Sequence, residues 1–414
     1  MDNWKRNTAL FLTGQCISLF GSMLVHYSIM WYITLKTQSG WMMTLIAIAA
    51  ALPMFLIAPF GGVWADRHNK KRIITLSDAA IAIITLLMAL VISPDSDYSM
   101  LLLICLASRA LGQGVQSPAI NALIPELVPQ EQLARINGIH GSIQSAVLFA
   151  SPMAGGALLA IAPLRAILLI DVTTAIIGIG ILLLFVKTPV RSRQNENQTG
   201  LKQYLRDISE GLNYIGKHPF AKKLIALGTV FYFMYAPAAV LTQLQVVRNW
   251  GDSIWTVPGG LPIGPEQRLA ALNIVFFVGM TLGGLVMGVR GGFKDKNRSM
   301  MLALSLFGLN AALLGLFRNF WIYLFCVALC GIMLNVCSIS IVTLLQTSVD
   351  STFMGRVFSV LMMISSVMTP LGMVVWGPLA DIFSIDRILI GTGGFLFALG
   401  FILIFNPTPA RDRA

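Results

Sequence analysis

Hydrophobic positions in this chain come in long unbroken runs, not in the short alternations of a soluble fold. Twelve runs, at 8–35, 41–65, 73–93, 98–124, 135–161, 164–186, 223–247, 269–290, 298–317, 321–348, 356–383 and 386–406, are separated mostly by short polar turns. A helix rises ~1.5 Å per residue, so runs of about 20 residues cross a ~30 Å hydrocarbon layer. Strands of a membrane barrel would be ~10 residues long and would alternate; these runs do neither. The pattern predicts an all-α membrane protein with twelve transmembrane helices.

The largest polar interruption, 187–223, divides six runs from six. It predicts an N-terminal half over 1–190, a linker over 191–222 and a C-terminal half over 223–414. In the linker, Leu201, Leu205, Ile208, Leu212 and Ile215 recur at helical spacing, with Lys202, Arg206 and Lys217 beside them. That periodicity predicts one apolar helix face, and the flanking cations suggest a helix lying on the membrane surface. The halves repeat one another. Ser117–Val128 (SPAINALIPELV) is similar to Ser338–Val349 (SISIVTLLQTSV), and Arg135 and Arg356 share the same offset of 221 residues. Because six spans separate equivalent positions, the copies run in the same direction, an architecture of transporters with the path between the repeats.

Charge adds orientation. Only 11% of the 414 residues are charged, yet the net charge is +11. If the N-terminus is cytoplasmic, 22 of the 29 Lys and Arg fall on the cytoplasmic side and 6 on the other, with Arg109 inside a span. The excess of cations predicts that both termini are cytoplasmic, in a multi-pass protein of the plasma membrane. Thin loops carry these charges, so no nucleic-acid partner is expected. No Cys/His spacing suits a metal, no phosphate loop is present, and no nucleophile, base and oxyanion donor can be named together. The expectation is a non-enzymatic protein without cofactor or metal. In the 248–268 loop, Trp250 and Trp255 are expected at the membrane interface.

A charge at the bilayer centre costs ~2.5–3.5 kcal/mol even on permissive scales, so the charges within spans matter. These are Asp78, Arg109 and Asp171. By depth, Arg109 can reach either carboxylate, and a pair made and broken in a cycle would take up and release protons; a fixed structural pair is the competing interpretation. On the first run, Gln15, Ser18, Ser22 and His26 form a polar stripe at 3–4 residue spacing, a face that lipid disfavours.

The turn after the second run reads Gly62-Val-Trp-Ala-Asp66-Arg67-His-Asn-Lys70-Lys71, which matches G-x-x-x-D-R-x-x-[RK]-[RK]. Arg109 is followed by Gly112 and Gly114, and Ser151-Pro152-x-x-Gly155-Gly156 stands in the fifth run. With these motifs the chain resembles the major facilitator superfamily over its full length. Within that family it is similar to bacterial macrolide efflux pumps, through NWKRNTALFLTGQCISL, DRHNKKRI, PAINALIPELVPQEQL and LIDV.

The resemblance implies a cavity lined by spans 1, 4, 7 and 10. That adds Gln113 and Gln116, then Tyr232, Tyr235 and Gln243, then Asn335. It implies gating roles for Gly62, Asp66, Arg67, Lys70 and Lys71, with Asp66 facing the start of the span near Gly355 and Arg356. It implies a further gating role for the bend at Pro152, Gly155 and Gly156; Ser151 stands where exporters usually have Gly. Gly284, the counterpart of Gly62, is followed by Gly288 where an acid would stand, with Lys294 and Lys296 as the basic remnant. The function implied is proton-coupled export of small amphipathic molecules by a monomer in the lipid bilayer, with protons as the other partner. Export of an endogenous amphiphile such as a siderophore or lysolipid, or a non-transporting receptor, are the alternatives.

Overall fold

A computed structural model describes residues 3–92, 97–187, 201–251, 255–256, 262–289, 295–350 and 353–405. Among them the chain is helical apart from turns and one antiparallel pair, β1 (Trp255–Thr256) with β2 (Pro262–Ile263). The first half comprises α1 (Asn3–Thr37), α2 (Gly40–Arg67), α3 (Lys70–Val91), α4 (Ser99–Leu127), α5 (Leu133–Ile161) and α6 (Leu164–Phe185). The linker holds α7 (Leu201–Lys217). In the second half α8 (Pro219–Ala236) runs through a π turn, Pro237–Leu241, into α9 (Thr242–Trp250). Pro237 has no N–H for the α-helical ladder, and a local π turn absorbs the missing bond. Then follow α10 (Pro265–Val289), α11 (Lys296–Leu314), α12 (Phe320–Ser348), α13 (Met354–Ile382) and α14 (Ile385–Phe405).

Each predicted span is a helix. Eleven are long and apolar enough to cross a membrane; the twelfth, α11, is shorter and carries Lys296, Asn297, Arg298 and Asn310. The repeat is visible in the helix bounds: α12 and α13 begin and end 221 residues after α4 and α5.

The chain divides into two compact units, Met1–Lys36 with Ile48–Tyr204, and Thr37–Ala47 with Leu205–Ala414. From Leu205 onward the linker helix therefore belongs with the second unit, as does the α1–α2 turn. In the first unit α3 packs on α4 and α6. Gly61 of α2 sits against Gly114 of α4, where a Cβ on Gly61 would lie 2.7 Å from the Gly114 carbonyl oxygen; only paired glycines let these backbones approach so closely. The basic turn ties the same unit together. Asn69 caps α3 by accepting from the Arg72 N–H at 3.2 Å. Lys70 reaches Glu126 at 2.8 Å, and Lys71 donates to the Leu183 and Val186 carbonyls at the end of α6. A cation there satisfies carbonyls that lack a helical partner.

In the second unit α11 packs on α14 and α12, α10 on α12, and α13 on α8. Asp381, ending α13, accepts from the Gly40 and Trp41 N–H groups at 2.6 and 2.8 Å and from Arg248 at 2.9 Å, and so serves as the missing cap of α2. Two expectations change here. Trp250 is only 8% exposed; its Nε1 donates to the Arg318 carbonyl and its ring meets Tyr323 at 5.1 Å. It is a core residue because the residues before it form α9, not a loop; the side chain of Trp255 lies outside the described residues. The linker helix does not rest on lipid alone: Glu210 pairs with Arg356 at 3.1 Å, and Tyr214 stacks on Phe353 at 4.7 Å.

Candidate functional site

Helical spacing puts Ser18 and Ser22 one turn apart on α1, and the same rule aligns Asp78 with Thr85 two turns later on α3. With Arg109 on α4 and Asp171 on α6 they form a buried polar core in the first unit. Arg109 and Asp171 are 2% and 1% exposed, and Nη1 of the guanidinium lies 2.5 Å from Asp171 Oδ2. The same Nη1 bonds the Thr85 hydroxyl, and Nη2 donates to the Ser22 carbonyl at 3.3 Å. Ser22 Oγ donates to Asp171 Oδ1 at 3.2 Å, and the Thr85 hydroxyl lies 3.1 Å from Oδ2. Four helices thus satisfy one ion pair. Burial makes both charges costly, and only such complete pairing keeps them in place.

Asp78 is placed differently. It is 4% exposed, accepts from Ser18 Oγ at 2.9 Å and has Gln116 as a second partner. Among the described residues it has no cationic partner. Arg109, equally near in depth, has turned to Asp171.

Beside Asp78 is a cavity of about 160 Å³ within the first unit. Gln15, Ser18, Ser22, Gln113 and Gln116 line it together, with Asn121, His140 and Gln144 and the apolar side chains of Met23 and Met54. Its amides, hydroxyls and thioethers present hydrogen-bonding groups without a fixed charge, a surface that accepts varied amphipathic ligands. His26 does not line it; that ring rests edge-on against Tyr27, centroids 5.6 Å apart.

Of the second-half candidates, Tyr232 and Tyr235 lie in an aromatic cluster. Phe231 stacks on Tyr235 at 5.8 Å and meets Phe307 at 5.5 Å, while Tyr232 bonds Ser338. Asn335 donates to the Met280 carbonyl at 2.5 Å, joining α12 to α10. Gln243 is buried with its Oε1 unpartnered. Two residues on, Gln245 bridges Tyr323, the Leu314 carbonyl and Asp386, which in turn holds Arg318. Sequence reasoning passed over Gln245 and Thr85. A polar residue near each expected site was the only signal, and which one is paired depends on helix rotation.

Gly62 has open space around its Cα, Arg67 is exposed, and the side chain of Asp66 lies outside the described residues. Pro152 and Gly156 are buried in a continuous α5, and a Cβ on Gly155 would meet Ser28 Oγ at 3.5 Å. Next to them Ser151 is fully buried with its hydroxyl unpartnered. Among the described residues no group of His, Cys, Asp and Glu could hold a metal.

The model of the Major Facilitator Superfamily matches residues 9–373. Macrolide efflux protein A of Streptococcus pyogenes is 26% identical over 97% of this chain and 96% of its own length. Multidrug efflux pump Tap of Mycolicibacterium fortuitum is 21% identical over 98% and 97%. The crystal structure of the nucleoside transporter NupG superposes with a TM-score of 0.73, covering 99% of this chain and 100% of that one at 16% identity.

Proposed function

This chain belongs to the Major Facilitator Superfamily and is a multi-pass membrane transporter; from that premise we propose that it exports amphipathic small molecules, drug-like or macrolide-like, from the cytoplasm in exchange for protons, by alternating access and with both termini in the cytoplasm. The observation that carries the reading is Asp78, a buried carboxyl without a cation, bonded to Ser18 and Gln116, two side chains that also line the polar cavity.

Asp78 can take up a proton without breaking an ion pair, whereas Asp171 cannot, because Arg109 holds it. The proton is therefore carried on Asp78. A ligand that binds Ser18 or Gln116 withdraws a hydrogen bond from the carboxylate, so ligand and proton act on the same two groups. Arg109 and Asp171 position α1, α3, α4 and α6 around that carboxyl. One charge moving through 100 mV supplies ~2.3 kcal/mol, enough for a roughly 40-fold gradient of substrate. The direction, outward, rests on the relatives named for efflux.

The test is a susceptibility panel in a pump-deficient bacterium expressing the chain, with an uncoupler control. Raised tolerance to macrolides or other lipophilic drugs, abolished by the uncoupler, is the expected result; unchanged tolerance across the panel overturns the reading. Normal proton-driven efflux in Asp78→Asn overturns the carboxylate coupling.

A further inference from the structure

A second and larger cavity of the first unit, about 670 Å³, lies between the start of α1 and the start of α5. Its walls are Leu12, Ile17, Ile136, Ile139 and Ile143, and its polar end carries Trp4, Lys5, Thr8, Gln132 and Arg135. Lys5 and Arg135 are exposed, and among the described residues neither has a carboxylate partner, although Glu131 stands one turn before Arg135. Thr8 is 2% exposed and lines the cavity, and its hydroxyl has no hydrogen-bond partner among the described residues. A buried hydroxyl left unpaired costs free energy, so this groove is built for an occupant with a hydrogen-bonding, negatively charged end and an apolar body.

The second half shows what fits there. At the 221-residue offset Gln132, Arg135 and Ile139 correspond to Phe353, Arg356 and Val360. Those three residues are covered by α7. Tyr214 stacks on Phe353, Glu210 pairs with Arg356 at 3.1 Å, and Gly211 lies against the Arg356 carbonyl and the Val360 side chain. The effect on burial is plain: Val360 is 0% exposed and Ile139 is 40%. In the second half, then, the site is filled by an acid on an amphipathic helix belonging to the chain itself. In the first half the same helix face is bare, with a second cation and an orphan hydroxyl added.

We propose that the α1–α5 groove binds one anionic phospholipid from the bilayer leaflet on the N-terminal side. Its phosphate would sit between Lys5, Arg135 and the Thr8 hydroxyl, and an acyl chain along Ile136, Ile139 and Ile143. The head takes the role of Glu210 and the chain that of the apolar flank of α7. The groove shares Leu12, Cys16 and Ile143 with the cavity beside Asp78, so a bound lipid closes the end of that cavity that reaches α5. The inference does not depend on what is transported or on how transport is energised.

Native mass spectrometry of the full chain, purified with phosphatidylglycerol or phosphatidylcholine, tests it. Wild-type protein should retain one phosphatidylglycerol selectively. Lys5→Gln combined with Arg135→Gln should weaken that retention roughly 10-fold or more, since each cation near the headgroups contributes to attraction of anionic lipid. Thr8→Val should weaken it less. Ile139→Trp, which fills the groove without changing charge, should also displace the lipid. Arg356→Gln, whose counterpart site is already covered by α7, should leave retention unchanged. Equal retention of both lipids by the wild type, or undiminished phosphatidylglycerol in either the double variant or Ile139→Trp, overturns the proposal.

Discussion

Arg109 and Asp171 in the first half correspond, at the offset of the repeat, to Cys330 and Thr392 in the second. All four are buried. The first pair is an ion pair held by four helices; in the second, the Thr392 hydroxyl bonds the Ile388 carbonyl of its own helix, and the cysteine is a small apolar filler. Around them the first half places Asp78, hydroxyls and amides, and the second places Phe231, Tyr232, Tyr235 and Phe307. Duplication has kept the helix register while the chemistry has separated. The buried ion pair sits in one half and the larger aromatic cluster in the other. The second half keeps Asp386 at the head of α14, bonded to Gln245 and Arg318, and a fully buried Arg268 that donates to the Trp250 carbonyl.

The largest effect is expected from removing one member of the ion pair. Arg109→Ala strands a buried carboxylate and should destabilise the protein by about 3–5 kcal/mol, read as a fall in the thermal unfolding midpoint of the detergent-solubilised chain. Cys330→Ala at the counterpart should cost about 1 kcal/mol. Arg109→Met combined with Asp171→Leu should recover most of the lost stability, because the cost lies in the unpaired charge. If the two single substitutions are equally harmful, the separation of roles between the halves is wrong.

Asp78→Asn should reduce proton-driven efflux by about 10-fold or more while keeping the unfolding midpoint near that of the wild type, since an amide keeps the bonds to Ser18 and Gln116 and no ion pair is lost. Transport by proteoliposomes with an imposed pH gradient gives the first reading and thermal unfolding the second.

A finer comparison uses glycines. Gly61→Ala meets backbone and should cost about 1–3 kcal/mol by overpacking. Gly62→Ala meets open space and should be neutral or stabilising by up to about 1 kcal/mol, through helix propensity alone. Gly284→Ala, whose Cβ would touch Asn335 Nδ2 at 3.3 Å, should fall between them. Smallest is Lys70→Gln, which removes a half-buried pair with Glu126 and should cost about 0.2–1 kcal/mol.

The spans, the linker helix and the repeat were legible in the sequence because lipid forces long apolar runs and because the offset of 221 recurs in unrelated stretches. Legible too were Asp78, Arg109 and Asp171, since few other residues stand out against so apolar a background; a fourth buried charge, Arg268, was hidden because the apolar run begins only after it. The choice of partner was not. Depth placed Arg109 equally near Asp78 and Asp171, and only the packing of α3, α4 and α6 decides between them. Thr85 was invisible for the same reason, as a neutral hydroxyl whose role comes from facing Arg109. The docking of α7 was hidden because periodicity reports an apolar stripe but not what covers it. Leu212 on that stripe is 49% exposed while Ile215 is 5% exposed.

The short eleventh helix has a consequence for biosynthesis. With Lys296, Asn297 and Arg298 at its start and Asn310 within it, α11, at 19 residues, is the shortest span of the second half and opens on polar residues. Its most extensive packing is against α12 and α14, both later in the chain, while Phe231 of α8 and Gln245 of α9 also touch it. The segment therefore leaves the ribosome before the two helices that cover most of it exist, and its packing is complete only when they arrive. Chains truncated after residue 318 should leave it accessible to water-soluble thiol reagents at an introduced cysteine, and chains extended through residue 405 should protect it.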